Sequence, residues 1–361
     1  MRNKLVFSSI AVVIVLSLLL AGCSSSGTTT TATTTAAATT TAAATTTAAA
    51  TTTSTIVIPT RANANSIILG YYGSACESST YAAIQNGFDS KYGINIELVK
   101  VDSTSSLNLI ASGKIDATDG VLQAWLKPIQ EGLDVRFTEG LQSGCISAIV
   151  LNTSTAKTWA DLKGKTIGVS GTIGGGPMNY AFRDIAYEGL DPQNDYQWVA
   201  YSTTAALLIA LEKGEVDAAV GGDVGNWSEV DKGTARFISY MATDAAYANE
   251  DCCLLAFNPD FAAKHPDLVK DLTLALYDGS QWVQNNKAAA VQYEVDNQYV
   301  AGTVADNLRV VDSYAFTPGA QIGKLSLTNS INQFVQSKII DPVTASTLVN
   351  KLWLDVPGVG N

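Results

Sequence analysis

The chain has 361 residues, with 22 Lys and Arg against 33 Asp and Glu, a single His and five Cys. A formal charge of −11 gives no basic face for a phosphate backbone, which argues against nucleic-acid partners. One histidine (His265) cannot build a histidine metal site, and neither a metal nor a cofactor is expected.

Arg2 and Lys4 precede a run from Leu5 to Leu20 that is apolar apart from three serines, followed by small residues. Such a run falls short of the roughly 20 residues that span a bilayer. Residues 1–23 therefore read as a secretory signal peptide. Its end, "LAGC" (Leu20 to Cys23), resembles the bacterial lipobox, and the resemblance implies that Cys23 is acylated and becomes the membrane anchor. Residues 24–65 are Thr/Ala-rich, with no large apolar side chain from Thr28 to Thr55, so nothing offsets the entropy of ordering them. They read as a disordered tether. Without the signal the basic count is 22 − 2 = 20, and the charge becomes 20 − 33 = −13. A surface so acidic leaves attachment to anionic lipid to the acyl group.

From Ser66 onward strands and helices alternate. "SIILGYY" reads as a strand, "STYAAIQNGFDSKYG" as one helix, "INIELVKV" as a strand, "LNLIAS" as a helix and "IDATDG" as a strand end. Later come the strand "TIGVS", the loop "GTIGGGP", the helix "MNYAFRDIAYEGL", the strand "YQWVAYS", the helix "ALLIALEKG" and the strand "VDAAVGG". From Phe261 the pattern turns helical. A repeat runs through this order: "VKVDSTSSLNLIASGKIDA" from Val99 returns as "VAYSTTAALLIALEKGEVDA" from Val199. A repeat of this length points to two similar lobes, each a mostly parallel sheet flanked by helices.

Parallel sheets take ligands at the carboxyl ends of their strands. In the first lobe that rule selects Ser74, Glu77, Thr104, Asp119 and Gly120. In the second it selects Ser170, Thr172, Gly174, Gly175, Asn179, Thr203, Gly222 and Asp223. The loop "SGTIGGGP" lacks the spacing of a nucleotide-binding fingerprint, though a Gly-rich helix start can present amides to an anion. "STAK" (Ser154 to Lys157) has no partner motifs for acyl transfer. No catalytic residue is assigned. The acids Glu77, Asp119 and Asp223 stand in loops without Lys or Arg, so the expected ligand carries an amine or other hydrogen donors. Trp125 and Trp227 follow two of these loops and read as core residues able to stack on a ring.

"TWADLKGKTIGVSGTIGGGPMNYAFRDIAYEGLDP" resembles the opening of the second lobe in substrate-binding proteins of nitrate/sulfonate/taurine-type ABC importers. The pattern "L-x-x-G-x-[IV]-D-A", met by the second copy and by the first with Ile110 in place of Leu, and the stretch Phe261 to Val269 add to the resemblance, which covers roughly Ser66 to Lys338. It implies the periplasmic binding protein type II fold, α/β with two lobes joined by two crossover strands. Lobe one would be 66–146 and 255–361, and lobe two 147–254. "SGCISAIVLN" and "DCCLLAFNP" would be the paired crossovers, bringing Cys145 close enough to bridge Cys252 or Cys253. The resemblance further implies an extracytoplasmic, monomeric receptor that hands a small molecule to an ABC permease and its ATPase. The candidate ligand is a sulfonate, a taurine-like zwitterion or another amine-bearing molecule. Two alternatives remain: a sensory binding module for a membrane receptor, and an enzyme of the thiamine-pyrimidine-synthase type, to which only the adjacent Cys252 and Cys253 point.

Overall fold

The computed structural model describes residues 56–360, and of residues 103 and 104 the backbone only. The signal segment, Cys23 and the tether to residue 55 lie outside the described residues. Residues 56–65, read above as tether, lie on the body. Ile56 and Ile58 pack against its core, and Arg61 grips Asp116 through two short bonds, 2.6 and 2.7 Å.

The first run is β1 (Ser66–Tyr71), α1 (Ser78–Gln85), α2 (Phe88–Lys91), β2 (Asn95–Lys100), α3 (Ser103–Ala111), β3 (Ala117–Val121), α4 (Leu126–Gln130) and β4 (Arg136–Gln142). The chain then crosses over through residues 143–145. The second run is β5 (Ile146–Leu151), β6 (Thr166–Ser170), α5 (Gly176–Tyr187), β7 (Gln197–Tyr201), α6 (Thr204–Glu212), β8 (Ala218–Gly222), α7 (Asp223–Asp231) and β9 (Ala235–Tyr240). It returns through residues 241–252 to β10 (Cys253–Phe257), α8 (Pro259–Lys264), α9 (Pro266–Asp296), α10 (Val304–Val311), α11 (Ala320–Gln336) and α12 (Ala345–Leu352). The expected single helix over residues 79–93 is broken in two, because Gly87 turns left-handed at φ +66° between α1 and α2.

Two five-stranded sheets result, ordered β2-β1-β3-β10-β4 and β7-β6-β8-β5-β9. In each, one strand runs against its neighbours: β10 in the first and β5 in the second. Each reversed strand is the one that enters directly from a crossover. The segments expected to pair with each other are therefore in different sheets, and only their ends meet.

The sequence repeat becomes a structural one, with β1, β2 and β3 matched by β6, β7 and β8. Its two aspartates do the same job. Asp116 accepts the backbone N–H of Ile68 at 2.7 Å, and Asp217 accepts that of Thr166 at 3.0 Å, so each closes an open donor on the neighbouring strand. One apolar core surrounds the first sheet, with Leu69, Phe137 and Phe257 against Leu276 of α9 and Leu327 of α11. A second joins Val150, Ile167 and Val169 of the second sheet to Ala82, Val283 and Phe316 from the other side. The lobes are thus packed together.

Arg183 of α5 fixes the return crossover. It is fully buried, donates to Glu250 at 2.7 Å, to Ala246 O and Ser330 Oγ at 2.9 Å, and also reaches Gln333. A buried guanidinium is tolerable only when its donors are matched in this way.

α1, which carries the loop after β1 toward the cleft, is seated by a close approach to α9. A Cβ at Gly279 would stand 2.3 Å from Ser79 O and 3.1 Å from Ala83 N, both main-chain atoms of α1. Gly279→Ala should therefore cost about 1–3 kcal/mol of stability. Chemical denaturation checks this, and an unchanged midpoint would contradict the packing.

Candidate functional site

The strand ends selected from sequence converge where the two crossovers meet. In the first lobe Glu77 turns out to organise its own loop. Its carboxylate accepts the N–H groups of Tyr72 (2.7 Å), Gly73 (2.8 Å) and Ser74 (2.9 Å), and the hydroxyl of Tyr81 (2.9 Å). The neighbouring Asp119 receives Thr80 Oγ1 at 3.3 Å and shares a side-chain hydrogen bond with Glu77. Burial, and then the charge of Glu77, hold the Asp119 carboxyl well above the usual carboxylate range. Burial also raises Glu77, opposed by the N–H donors of Ser74 and Tyr72. Of the two, Asp119 is therefore the acid that holds its proton the more firmly.

In the second lobe Asp223, the first residue of α7, accepts Cys145 N–H at 3.0 Å and Tyr314 O–H at 2.8 Å. Its other oxygen, Oδ1, is buried without a well-formed hydrogen bond. Burial pushes this carboxyl up to about 7, against the Tyr314 hydroxyl, the Ser147 hydroxyl and the Cys145 N–H. Across the junction Gln142, at the end of β4, is fully buried; its amide has no well-formed nitrogen or oxygen partner and lies against the Cys253 thiol. It pairs in register with Cys253, itself opposite Val121. Cys145 and Cys252 are joined by a disulfide.

The lobes touch at the mouth. Asn179 Nδ2 donates to Gln123 O at 2.9 Å, across the cleft, and to Gly174 O at 2.8 Å in its own loop. A Cβ on Gly176 would stand 3.5 Å from Val121. Gly174 turns at φ +77° and gives its N–H to Met178 Sδ, while Gly175 gives its own to Thr172 O. Thr172 and Thr203 are exposed, and Thr203 caps α6 by accepting Ala206 N–H at 3.1 Å. The hydroxyls turned inward are Ser170 and Thr204, 3.1 and 3.5 Å from where a Cβ on Gly221 would stand. Ser74 Oγ accepts the Cys76 thiol at 3.3 Å. Gly120 leaves room for Trp125 Nε1 and Tyr72 Oη, and Gly222 caps α7. Thr104 lies in α3, with its side chain outside the described residues.

Three expectations change. Glu77 is committed to its loop. Lys100, at the end of β2, brings Nζ within 2.9 Å of a Cβ position on Gly73, so a cation does stand beside these loops. Neither tryptophan offers a free face for stacking: Trp125 is buried edge-on against Phe137, and Arg309 covers Trp227 at 3.8 Å. Gln142, Gln123, Thr204 and Tyr314 were not foreseen. Gln142 had a signal, lying at the end of a strand just before the crossover. Tyr314 had none, because its partner Asp223 is 91 residues away.

The profile of the NMT1/THI5-like family matches residues 78–290. The chain is 24% identical over 239 residues to the formylaminopyrimidine-binding protein of Halalkalibacterium halodurans, covering 64% of this chain and 70% of that protein. It is 29% identical over 161 residues to a Haemophilus influenzae protein named for thiamine biosynthesis, covering 43% of this chain and about half (49%) of that protein's length. The alkanesulfonate-binding protein SsuA of Xanthomonas axonopodis pv. citri, solved with MOPS, matches with a TM-score of 0.66 at 18% identity, over 82% of this chain and 100% of that one. Likeness at that identity establishes a shared fold.

The two acids of the first lobe should respond differently to neutralisation. Glu77→Gln weakens the acceptor of several donors and should lose on the order of 3 kcal/mol. Asp119→Asn mimics the protonated form that burial favours and should stay within about 1 kcal/mol of the parent. Equal losses in thermal or denaturant unfolding would contradict this distinction.

Proposed function

The chain belongs to the NMT1/THI5-like family, and from that premise we propose that it is an extracytoplasmic solute-binding receptor. It binds and releases a small organic molecule between its lobes without chemistry, and delivers it to an ABC permease driven by its ATPase. Cys23 anchors it to the membrane through an acyl group, with the Thr/Ala-rich segment as tether.

The observation that carries this reading is the set of under-satisfied buried polar groups at the crossover junction: Asp223 Oδ1, which has no well-formed hydrogen bond, and the amide of Gln142, whose neighbour is the Cys253 thiol. A buried polar atom without a partner costs about 1–3 kcal/mol, which a ligand satisfying it would recover. A carboxyl that titrates near neutrality, set with an amide, suits a ligand presenting both donors and acceptors along one edge. Amine-bearing heterocycles have such an edge, and the formylaminopyrimidine for which the Halalkalibacterium halodurans relative is named is of that type. A simple inorganic anion offers acceptors only and leaves Asp223 Oδ1 unmatched. Zwitterions with a sulfonate end fit if their amine reaches Asp223 while Ser170, Thr204 and the start of α5 take the sulfonate.

Mass spectrometry of molecules released from the native protein should find an amine-bearing organic compound. In calorimetry Asp223→Asn should weaken binding of that compound by about tenfold or more, some 1.4 kcal/mol. Tight binding of nitrate or a simple alkanesulfonate, unchanged in Asp223→Asn, would overturn the ligand class.

Anchoring has its own test. Cys23→Ser should abolish palmitate labelling and move the protein out of the membrane fraction. Continued labelling and detergent partitioning in Cys23→Ser would contradict the anchor.

A further inference from the structure

Four of the five cysteines of the chain meet at the crossover junction, and the binding reading above uses none of their thiol chemistry. They come from separate places in the fold. Cys76 lies in the turn after β1, Cys145 in the first crossover, Cys252 at the end of the second, and Cys253 opens β10. All four are buried.

Three of their sulfur atoms are spaced as a ligand set, and the fourth, that of Cys252, lies beside two of them. Cys253 Sγ lies 3.9 Å from Cys145 Sγ and 3.8 Å from Cys252 Sγ. The sulfurs of Cys76, Cys145 and Cys253 all fall within 4.8 Å of one another. In a tetrahedral four-thiolate site with bonds of about 2.3 Å, neighbouring sulfurs stand about 3.8 Å apart. One edge is closed at present by the Cys145–Cys252 disulfide. A set of four protein sulfurs leaves no open coordination position, so such a site would be structural rather than catalytic.

We propose that, once the Cys145–Cys252 disulfide is reduced, the four cysteines form a tetrahedral thiolate site for a thiophilic divalent cation such as Zn2+. The junction then holds either a disulfide or a metal ion, and in both states the two crossovers stay fastened. The metal state adds Cys76, and with it the loop that Glu77 organises. A dithiol or phosphine reductant supplies two electrons, and two protons are taken up as the S–S bond breaks to two thiols. The reductant leaves as its disulfide or phosphine oxide. Cation binding then displaces the thiol protons to solvent, with no further change of oxidation state.

The test uses Cd2+ as probe on the full-length protein, oxidised or treated with a phosphine, then desalted. Metal is counted by mass spectrometry, and sulfur-to-cadmium charge transfer is read in the near ultraviolet. The reduced protein should retain one Cd2+ per chain with a thiolate band, and the oxidised protein none. Cys76→Ser and Cys253→Ser should each weaken retention by at least about tenfold, since outer-shell changes alone cost 10–100-fold. A reduced wild-type chain that keeps no Cd2+, folded or not, overturns the proposal. So does Cd2+ retained without the thiolate band, or retained equally by a folded Cys76→Ser, Cys253→Ser double variant.

Discussion

The two chain crossovers meet at one buried point, and the geometry of the cleft depends on how they are held there. Cys145 and Cys252 join them covalently, and Asp223 takes the main-chain N–H of Cys145 while Tyr314 braces the same carboxyl. On the far side of the return crossover, Arg183 ties Glu250 and Ala246 to α11. These contacts place the ends of β4 and β10 from one sheet against β5 and β8 of the other. The strand ends have to converge for any ligand to touch both lobes. Buried charges and a disulfide at this point make it rigid, and leave bending to the short segments beside it.

The acids around the cleft show how environment assigns different work to like residues. Glu77 collects four donors that oppose the effect of burial, so it shapes the loop after β1. Asp119, beside it and with few donors, is raised well above the usual carboxylate range. Asp223 lies between these extremes, with one oxygen matched and one open, and titrates near neutrality. A group in that state can meet either a donor or an acceptor on a ligand. This makes Asp223, with the under-satisfied Gln142, the centre of the proposed site.

Much of the architecture was legible because it is written locally. The repeat around "GKIDA" and "GEVDA" marks equivalent strands, and its aspartates recur because each closes the same open N–H on the neighbouring strand. Strand order and direction within each sheet were not legible. β5 and β10 each run against their neighbours, and nothing within either segment reveals its partners. The site was half legible for a related reason. Loops at strand ends could be picked by rule, but the direction of each side chain could not. Thr203 and Thr204 are neighbours of the same type, yet one caps a helix outside and the other faces Gly221 inside. Tyr314 and Lys100 reach the site from elements whose packing is fixed only by the whole fold.

The central claim is that the lobes move about the fastened junction to enclose a ligand. Lys114 and Glu215 are exposed, occupy matching positions in the two copies of the repeat, and lie in different lobes. Spin labels at these two positions, read by pulsed dipolar spectroscopy, report that motion directly. The account predicts a broad distribution with a longer-distance population in the stripped protein, collapsing to one shorter distance when the molecule eluted from the native protein is returned. A single distance, the same with and without that molecule, would contradict it.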